Sequence, residues 1–450
     1  MALCLQRRGL LFFIYPAPKT RTALEKTRKI WYTKPISPER RRVCAIRFVY
    51  SHILYGKRVK LLVYCSFILL KILFEHSKKC LRSGFLRGKE PFIMKKTVCV
   101  IFGGASSEYE VSLMSSASII RNLDTEKFDI LTLGITKDGR WLLYPGAVEN
   151  IENNTWMNSE TARPAFISPD KATNGLVVLN ADGSYTVLKV DVLFPVLHGK
   201  NGEDGTIQGL FKLSGIPYVG CGTLASAVCM DKAVTHTLLS AANIEQAHYL
   251  WFYADRYFAD GEKIRNKIAA RLNFPVFVKP ANAGSSVGVS KVTAPEKLDA
   301  AIRLAAENDT KVVVEEGIVG QEVECAVLGN RGKSVASPVG EIGAGAEFYD
   351  YDDKYKNGVA QLFIPARLPE DVAEEVRKTA VRAYNLLGCD GLSRVDFFVT
   401  EKEHKVILNE INTLPGFTSI SMYPKLWENA GTPYSELLEK LIDCAFTRED

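Results

Sequence analysis

MKKTVCVIFGG, residues 94–104, begins a run of alternating strand and helix patterns that continues to the carboxyl terminus. Its core, KTVCVIF, is a short apolar segment rich in β-branched residues, and it ends in two glycines, as a buried parallel strand does. Residues 110–123 then place apolar and small side chains along one helical face. This stretch therefore predicts the first strand and helix of an open α/β sheet, whose ligands bind at the carboxyl ends of its strands.

Further patterns divide the chain beyond Met94 into three regions. FDILTLGIT (128–136) and VDVLFPVLHG (190–199) are two more candidates for buried strands of the first region. The second region begins near Cys221, with one long helix predicted over TLASAVCMDKAVTHTLLSAA (223–242), and continues with the strand FPVFVKP (274–280). We expect an amino-terminal α/β domain at 94–220, a central domain at 221–315 and a carboxyl-terminal domain at 316–450.

The third region alternates short apolar runs with two helical patterns. Its predicted strands are KVVVEEGI (311–318), QEVECAVLGN (321–330), SVASPVGEI (334–342), GLSRVDFFV (391–399) and KVILNEIN (405–412). Helices are predicted at 371–387, where apolar side chains recur on one face, and at 433–445.

The first 93 residues differ sharply from the rest in charge. They hold 21 Lys and Arg against 4 Asp and Glu, a net charge of +17, whereas the remaining residues hold 36 and 47, a net charge of −11. The segment shows no sustained helical or strand period, and its apolar run LLVYCSFILL (61–70) is shorter than a membrane span requires. We interpret 1–93 as an upstream translation joined to a true start at Met94, with a basic membrane-peripheral leader as the alternative. The acidic main body argues against nucleic-acid binding.

The ten cysteines contain no CxxC pair and no zinc-type spacing. Most of those beyond residue 94 lie among apolar neighbours, as Cys99 does in TVCVIF, which is typical of small core residues. This pattern favours a reducing cytoplasm.

A glycine- and serine-rich loop, KPANAGSSVG (279–288), follows a predicted strand and starts at Lys279. Glycines let backbone N–H groups approach phosphate oxygens, serine hydroxyls add donors, and the lysine adds positive charge. It differs from the GxxxxGK[ST] loop, so it predicts another kind of nucleotide site. Taken alone, it is equally compatible with a flexible surface turn.

The last two predicted strands carry paired polar residues. Arg394 and Asp396 are two residues apart, as are Glu410 and Asn412, so each pair lies on one face of its strand. Three oxygen-bearing side chains on adjacent strands suit Mg²⁺, which takes its other ligands from nucleotide phosphates and water. Arg394 beside them suits a transferring phosphoryl group. A simply solvated sheet face is the alternative.

Six motifs in this order resemble those of the D-alanine–D-alanine ligases, which belong to the ATP-grasp superfamily. The motifs are GGASSEYEVSLMS (103–115), HGKNGEDGTIQG (198–209), KPANAGSSVGVSKV (279–292), FYDYDDKY (348–355), GLSRVDFF (391–398) and NEINTLPGFTSISMYP (409–424). The resemblance spans essentially all of 94–450 and none of 1–93. It implies an ATP-grasp fold with an amino-terminal α/β substrate domain.

The resemblance also implies a role for individual residues. For the amino acids, it implies that Glu108 holds the first amino group, that His198 lies near the reacting carboxyl group, and that Gly416, Ser421 and Met422 lie near the second substrate. For ATP, it implies phosphate contacts from Lys232, Lys279 and Ser286, adenine contacts near Glu315, Glu316 and Ile318, a ribose contact from Glu322, and a nucleotide contact from Lys354. It implies metal ligation by Asp396, Glu410 and Asn412, a transition-state role for Arg394, and a loop network joining Ser285 to Tyr355.

The implied reaction joins two D-alanines with ATP through a D-alanyl phosphate, assisted by two Mg²⁺ ions, with Mn²⁺ as an alternative metal. Such an acyl phosphate hydrolyses readily, so water must be excluded. The polar, aromatic segment 344–360 suits a closing lid with Lys354 and Tyr355 at its tip. The family also implies a homodimer and a place in peptidoglycan precursor synthesis.

The second substrate is the least defined part of this prediction. The Lys354-Tyr355 pair favours an amine over D-lactate, and apolar Met422 favours a methyl group over the hydroxyl of D-serine. A D-alanine–D-serine ligase of the vancomycin-resistance type remains the alternative, because a pocket excludes an added hydroxyl weakly. Other hypotheses are a different ATP-grasp enzyme, a non-catalytic nucleotide-binding regulator, and a protein whose basic leader anchors it to a membrane or RNA.

Overall fold

The computed structural model describes residues 4–7, 10–13, 95–284, 286–343 and 361–449. The chain divides into two units, Met1–Phe92 and Ile93–Asp450. In the first unit, strands β1 (Cys4–Arg7) and β2 (Leu10–Phe13) pair antiparallel. The sequence pattern of 1–93 shows no strand period, so this short hairpin is a structural feature that the sequence did not predict.

A seven-stranded sheet forms the amino-terminal part of the second unit. Its strands are β3 (Lys96–Gly103), β4 (Phe128–Ile135), β5 (Trp141–Leu143), β6 (Arg163–Ile167), β7 (Gly175–Leu179), β8 (Tyr185–Lys189) and β9 (Val192–Val196). They lie in the order β8-β7-β6-β5-β4-β3-β9. The predicted buried strands are confirmed: β3 pairs parallel with both β4 and β9, and the carboxyl ends of all three lie at one edge of the sheet.

Three helices accompany this sheet: α1 (Tyr109–Asn122), α2 (Val148–Glu152) and α3 (Thr206–Ser214). The turn between β3 and α1 depends on Gly103, which has a φ of +87°. A Cβ at this position would overlap the carbonyl oxygen of Ile135. Glycine is therefore required here, since it alone adopts this conformation without steric cost.

The predicted helix at 223–242 is wrong as a single element. The structure has two helices, α4 (Thr223–Met230) and α5 (Lys232–Ala241), separated by Asp231 in an extended conformation. The Asp231 carboxylate accepts a hydrogen bond from the backbone N–H of Val234 and so caps the second helix. As a result, Lys232 is the first residue of α5.

A four-stranded sheet follows, with helices on its surface. Its strands are β10 (Tyr249–Tyr253), β11 (Val276–Pro280), β12 (Ser290–Val292) and β13 (Lys311–Glu316), and the helices are α6 (Ala254–Ala259), α7 (Gly261–Arg271) and α8 (Leu298–Asn308). The strand order is β10-β13-β11-β12. Strand β13, which the sequence pattern grouped with the third region, pairs with β10 and β11 and so belongs to this sheet.

A five-stranded antiparallel sheet contains the last strands of the chain. It consists of β14 (Gly320–Leu328), β15 (Val335–Ile342), β16 (Leu362–Phe363), β17 (Leu392–Thr400) and β18 (Val406–Asn412), in the order β16-β15-β14-β17-β18. Helix α9 (Glu370–Leu386) packs on this sheet and confirms the helix predicted at 371–387.

The last two helices are α10 (Met422–Asn429) and α11 (Tyr434–Thr447). Helix α11 packs against α1 and β9, so the end of the chain contacts the amino-terminal sheet. One buried cluster contains Val98 and Val100 of β3 together with Leu437 and Leu441 of α11. The amino-terminal sheet therefore shares a hydrophobic core with the carboxyl-terminal helix.

None of the helices in the described ranges is long and apolar enough to cross a membrane. The apolar run at 61–70 lies outside those ranges.

Candidate active site

Two lysines flank the glycine- and serine-rich loop. Lys279 lies near the end of β11, and Lys232 begins α5. The Lys232 ammonium group donates a hydrogen bond of 2.8 Å to the carbonyl oxygen of Ala283, within the loop. Its backbone N–H donates to the carbonyl oxygen of Ala281. The structure thus brings together both predicted phosphate lysines and the loop between them.

The Glu315 carboxylate on β13 is buried and bonded on both oxygens. Lys279 donates to one oxygen at 2.7 Å, and a ring nitrogen of His236 lies 3.0 Å from the other. Burial acts to raise the pKa of Glu315, but Lys279 and the hydrogen-bonded His236 outweigh it and lower that pKa well below its usual range. Glu315 is therefore an ionised counter-charge for Lys279, and His236 is a partner that the sequence did not predict.

The other predicted nucleotide residues follow Glu315 along the chain or lie in the loop. Glu316 is the last residue of β13 and Ile318 lies two residues beyond it, and both are half-buried. Ser286 has a left-handed φ of 59°. Glu322 lies on β14 in the facing five-stranded sheet, near enough to raise the pKa of Lys279. Burial opposes the charge on Lys279, but Glu315, Glu410 and Glu322 together raise its pKa. The lysine of one sheet is thus surrounded by carboxylates from both.

The predicted pairs on the last two strands share one face. The Arg394 guanidinium donates two hydrogen bonds of 2.7 Å to the Asp396 carboxylate. Across the sheet, Asp396 lies opposite Glu410 and Arg394 lies opposite Asn412. The Asn412 amide also donates to Asp396 at 2.9 Å. The sequence-based prediction that these four residues cluster is confirmed.

A further carboxylate joins this cluster. Glu324, two residues after Glu322 on the same face of β14, lies 3.1 Å from Arg394. Burial acts to lower the pKa of Arg394, but Asp396, Glu324 and Glu410 raise it well above its usual value. The two-residue spacing of Glu322 and Glu324 is the signal that identifies Glu324 in the sequence.

The donor set on these strands suits magnesium. Asp396 and Glu410 provide carboxylate oxygens from directly opposed positions, and Asn412 adds an amide oxygen. Within the described ranges, no three acidic, histidine or cysteine side chains form a closed metal cage. A magnesium site on these strands would take its remaining ligands from phosphates and water. The residues present therefore fit the metal that the sequence implies.

Glu108 lies where three segments of the chain meet. It is buried just before α1, and its backbone N–H donates to the Ser106 hydroxyl. A Cβ on either Gly199 or Gly284 would collide with its carboxylate, so both glycines allow close approach. Gly284 directly precedes Ser285, which lies outside the described residues.

His198 lies two residues after the end of β9 and is buried. Its Nδ1 lies 2.9 Å from the carbonyl oxygen of Leu414, and its Nε2 lies 3.4 Å from the Ser115 hydroxyl. Burial lowers the pKa of His198 and the Arg394 charge adds to this, against an opposing effect of Glu108. The ring is therefore held in the neutral form between the amino-terminal domain and the segment after β18.

Glu203, in the motif HGKNGEDG, is another residue that the sequence analysis did not single out. Its carboxylate accepts a hydrogen bond of 2.9 Å from the backbone N–H of Gly199. Burial, with the nearby charges of Glu108 and Glu410, raises its pKa well above the usual value. Glutamates from three different segments therefore converge on this part of the site.

The predicted second-substrate residues follow β18. Gly416 is half-buried, and the Ser421 hydroxyl bonds to the backbone N–H and the hydroxyl of Thr418. Met422 begins α10 and is buried in the core shared with the amino-terminal sheet, next to Gly340. Tyr355, Lys354 and the predicted lid at 344–360 lie outside the described residues.

An α/β domain is followed in the chain by a four-stranded and a five-stranded sheet, and these two sheets carry interacting cationic and acidic side chains. This arrangement is that of an ATP-grasp ligase. Family models described as "D-ala D-ala ligase N-terminus" and "D-ala D-ala ligase C-terminus" match residues 97–221 and 238–443. The chain belongs to the D-alanine–D-alanine ligase family and, as the family does, uses ATP.

Individual relatives agree with this assignment. The D-alanine–D-alanine ligase of Acetivibrio thermocellus is 51% identical over 364 residues, which cover 79% of this chain and 96% of that protein. The same-named enzyme of Caldicellulosiruptor bescii is 49% identical over 79% of this chain and 96% of its own length.

Solved structures show the same fold. The VanG D-Ala:D-Ser ligase from Enterococcus faecalis has a TM-score of 0.71 and 44% identity, and the match covers 78% of this chain and 100% of that one. The D-alanine–D-alanine ligase from Coxiella burnetii has a TM-score of 0.68 and 34% identity, with 78% and 94% covered.

Proposed function

We propose that this chain joins two D-alanines into D-alanyl-D-alanine, with ATP as the phosphoryl donor. The first carboxylate attacks the γ-phosphoryl group and gives D-alanyl phosphate and ADP. The amine of the second D-alanine, after losing a proton, attacks the acyl carbon and releases phosphate. The observation that carries this proposal is a pair of buried ion pairs. Lys279 bonds to Glu315 on the four-stranded sheet, and Arg394 bonds to Asp396 on the five-stranded sheet.

In this proposal the nucleotide lies between the two sheets. Lys232, Lys279 and Ser286 bind its phosphates, while Glu315, Glu316 and Ile318 border the adenine. Glu322 holds the ribose, and Lys354 belongs to the same set. The support is electrostatic: the pKa of Lys279 is raised by carboxylates on both sheets, which keeps the ammonium charged for an anionic ligand.

Asp396, Glu410 and Asn412 are the proposed ligands of Mg²⁺, two ions being expected, with Mn²⁺ as a substitute. Bound magnesium would neutralise charge on the phosphoryl oxygens during transfer. In the structure, the Arg394 guanidinium donates two hydrogen bonds to Asp396. Turning the guanidinium toward the phosphoryl group would free Asp396 for the metal and place the positive charge where negative charge develops.

The amino-acid side of the proposed site lies at the amino-terminal domain. Glu108 holds the ammonium group of the first D-alanine, and the neutral His198 ring lies beside the reacting carboxyl group. A loop network that joins Ser285 to Tyr355 belongs to the same proposal. Gly416, Ser421 and Met422 border the second substrate in it. The support is the close approach of the Glu108 carboxylate to Gly199, which follows His198, and to Gly284 of the glycine- and serine-rich loop.

D-Serine as the second substrate is the other candidate. The structural likeness to the VanG D-Ala:D-Ser ligase favours it. The relatives at 49–51% identity, all named D-alanine–D-alanine ligase, favour D-alanine. The apolar Met422 side chain, which has no group to bond the hydroxyl of D-serine, also favours D-alanine.

We further propose that the enzyme works in the cytoplasm as a homodimer and supplies peptidoglycan synthesis. The compartment is supported by the six cysteines at 99–444, which are all free thiols. Peptidoglycan is supported by the product, a dipeptide of D-amino acids.

The test uses the full chain with ATP, Mg²⁺ and D-alanine, alone or with equimolar D-serine or D-lactate. Phosphate release and product mass are measured together. We expect D-alanyl-D-alanine with little mixed product. D-Alanyl-D-serine as the main product would move the protein to the other branch of the family, and phosphate release without any dipeptide would contradict the ligase assignment.

A further inference from the structure

A buried histidine, His236, lies behind the phosphate-binding lysines. It follows Lys232 by one helical turn, so both side chains lie on the same face of α5. The ring is 3% exposed and stacks on Tyr249 with centroids 4.4 Å apart. None of the sequence motifs that indicate ATP binding contains it.

Both ring nitrogens of His236 face oxygen atoms that can only accept. The Gln246 amide nitrogen donates to the His236 carbonyl and to the Ser240 hydroxyl, so its oxygen is the atom left to accept from Nδ1 at 2.6 Å. On the other side, Nε2 lies 3.0 Å from the ionised Glu315 carboxylate. This pattern requires a hydrogen on each nitrogen, and therefore a positively charged ring.

The charged ring makes Glu315 the centre of a buried triad. Glu315 accepts from His236 on one oxygen and from Lys279 on the other. A buried carboxylate with two cationic partners is held more rigidly than one with a single partner, because each partner fixes one oxygen. The position of the Lys279 ammonium group therefore depends on His236 through Glu315.

The same histidine is connected to the strand that carries the proposed metal ligands. Gln246 forms a parallel bridge with Leu408 of β18, and the N–H of Leu408 donates to the carbonyl of Glu245. Leu408 is two residues from Glu410. A continuous set of bonds thus runs from β18 through Gln246, His236 and Glu315 to Lys279.

We propose that His236 is a positioning residue for ATP, which sets Lys279 relative to the metal-binding strand. It does not touch the nucleotide; it acts by holding Glu315, and through Gln246 it ties the two sheets of the ATP site together. This inference rests on the proposed role of Lys279 in binding the phosphates. It assigns His236 a role in nucleotide affinity, whereas a ring that only fills the core would affect folding alone.

The test compares His236→Ala with the wild-type enzyme in the full chain. Removing the ring leaves Glu315 with one partner, and we expect the KM for ATP and the Kd for ADP to rise about tenfold. The KM for D-alanine stays within about twofold, because Glu108 and His198 lie on other elements. His236→Gln, which keeps one donor and loses the charge, serves the same comparison if the alanine variant does not fold.

His248→Ala is the matched control. This second histidine bonds to the adjacent carboxylate, Glu316, at 3.1 Å, but its side chain is 78% exposed. We expect its KM for ATP to match the wild type, since exposed ion pairs contribute little.

A double-mutant cycle separates positioning from a general loss of structure. If His236 acts through Glu315, His236→Ala changes the ADP Kd by less than about twofold in a Glu315→Gln background. Equal changes in both backgrounds, or an unchanged KM for ATP in His236→Ala, would overturn the inference. Absence of ATP-dependent ligation in the wild-type enzyme would instead contradict the proposed function.

Discussion

Arg394 and Asp396 face each other across two hydrogen bonds of equal length, both 2.7 Å, on one face of β17. The pair is enclosed by Glu324 and Glu410, so one guanidinium compensates three carboxylates. The arginine has two distinct tasks: it stabilises the fold before ATP binds, and in the proposed reaction it moves to the phosphoryl group. Substitutions at position 394 can separate the two.

Arg394→Lys keeps the charge but loses the planar pair of donors. We expect kcat to fall at least about a hundredfold, because one ammonium cannot bond both to a carboxylate and to the phosphoryl oxygens. Arg394→Ala should also cost about 3–5 kcal/mol in the free energy of unfolding, since it removes the cation that compensates these buried carboxylates. Phosphate release and urea unfolding measure the two effects. A lysine variant with wild-type kcat would refute the catalytic role.

His198 predicts a pH dependence of stability. Its pKa in the folded protein lies below the ordinary value of 6.5, so the unfolded chain binds a proton that the folded protein does not. Above pH 6.5 His198 is neutral in both states and its titration does not change the free energy of unfolding. As the pH falls from 6.5 toward the folded pKa, protonation of the unfolded chain lowers that free energy. We therefore expect the stability of the wild type relative to His198→Gln to fall between pH 7.5 and 5.5. Urea unfolding at three pH values tests this, and a constant difference would contradict it.

Gly103 and Gly139 form a matched pair for backbone substitution. Both have positive φ, +87° and +83°. A Cβ at Gly103 would overlap the carbonyl oxygen of Ile135, whereas a Cβ at Gly139 would have no heavy atom within 4 Å. Gly139→Ala should cost about 1–2 kcal/mol from conformation alone. Gly103→Ala should cost at least about 3 kcal/mol, because it adds a steric clash at the first turn of the sheet. Equal losses in thermal unfolding would show that the turn relaxes.

The cysteines predict a pattern of chemical protection. Cys444 is the only half-buried one among the six at 99–444, and the other five are buried. Burial raises the pKa of Cys99 and of Cys325 to about 12, and the contact of Cys389 with Cys221 and Cys229 raises the pKa of Cys389 well above its ordinary value. In native protein, iodoacetamide should therefore modify Cys444 before these five. Peptide mass spectrometry identifies the site, and early loss of Cys389 would be inconsistent with the packing.

The parts of the site that follow local spacing were predictable from the sequence. Arg394 and Asp396 are two residues apart in a strand, so their shared face follows from the strand period alone. Lys279 and its loop follow from the strand that ends in Gly- and Ser-rich residues. The family resemblance supplied the rest of the proposed roles.

Other parts have no local signal. His236 and Glu315 are 79 residues apart, and no spacing indicates that helix α5 meets strand β13. The partner of His198 is a backbone carbonyl at Leu414, and every residue has such a group. The break in the helix at 223–242 depends on one aspartate, Asp231, within a run of good helix formers. Tertiary packing decides all three.

Helix α11 has a consequence for how the protein is made. Its apolar side chains complete a core that includes Val98 and Val100 from the first strand of the ligase. A growing polypeptide thus carries one uncovered apolar face of its seven-stranded sheet until helix α11 leaves the ribosome. Synthesis that stops early should yield aggregation-prone fragments, even when every residue of the amino-terminal domain is present.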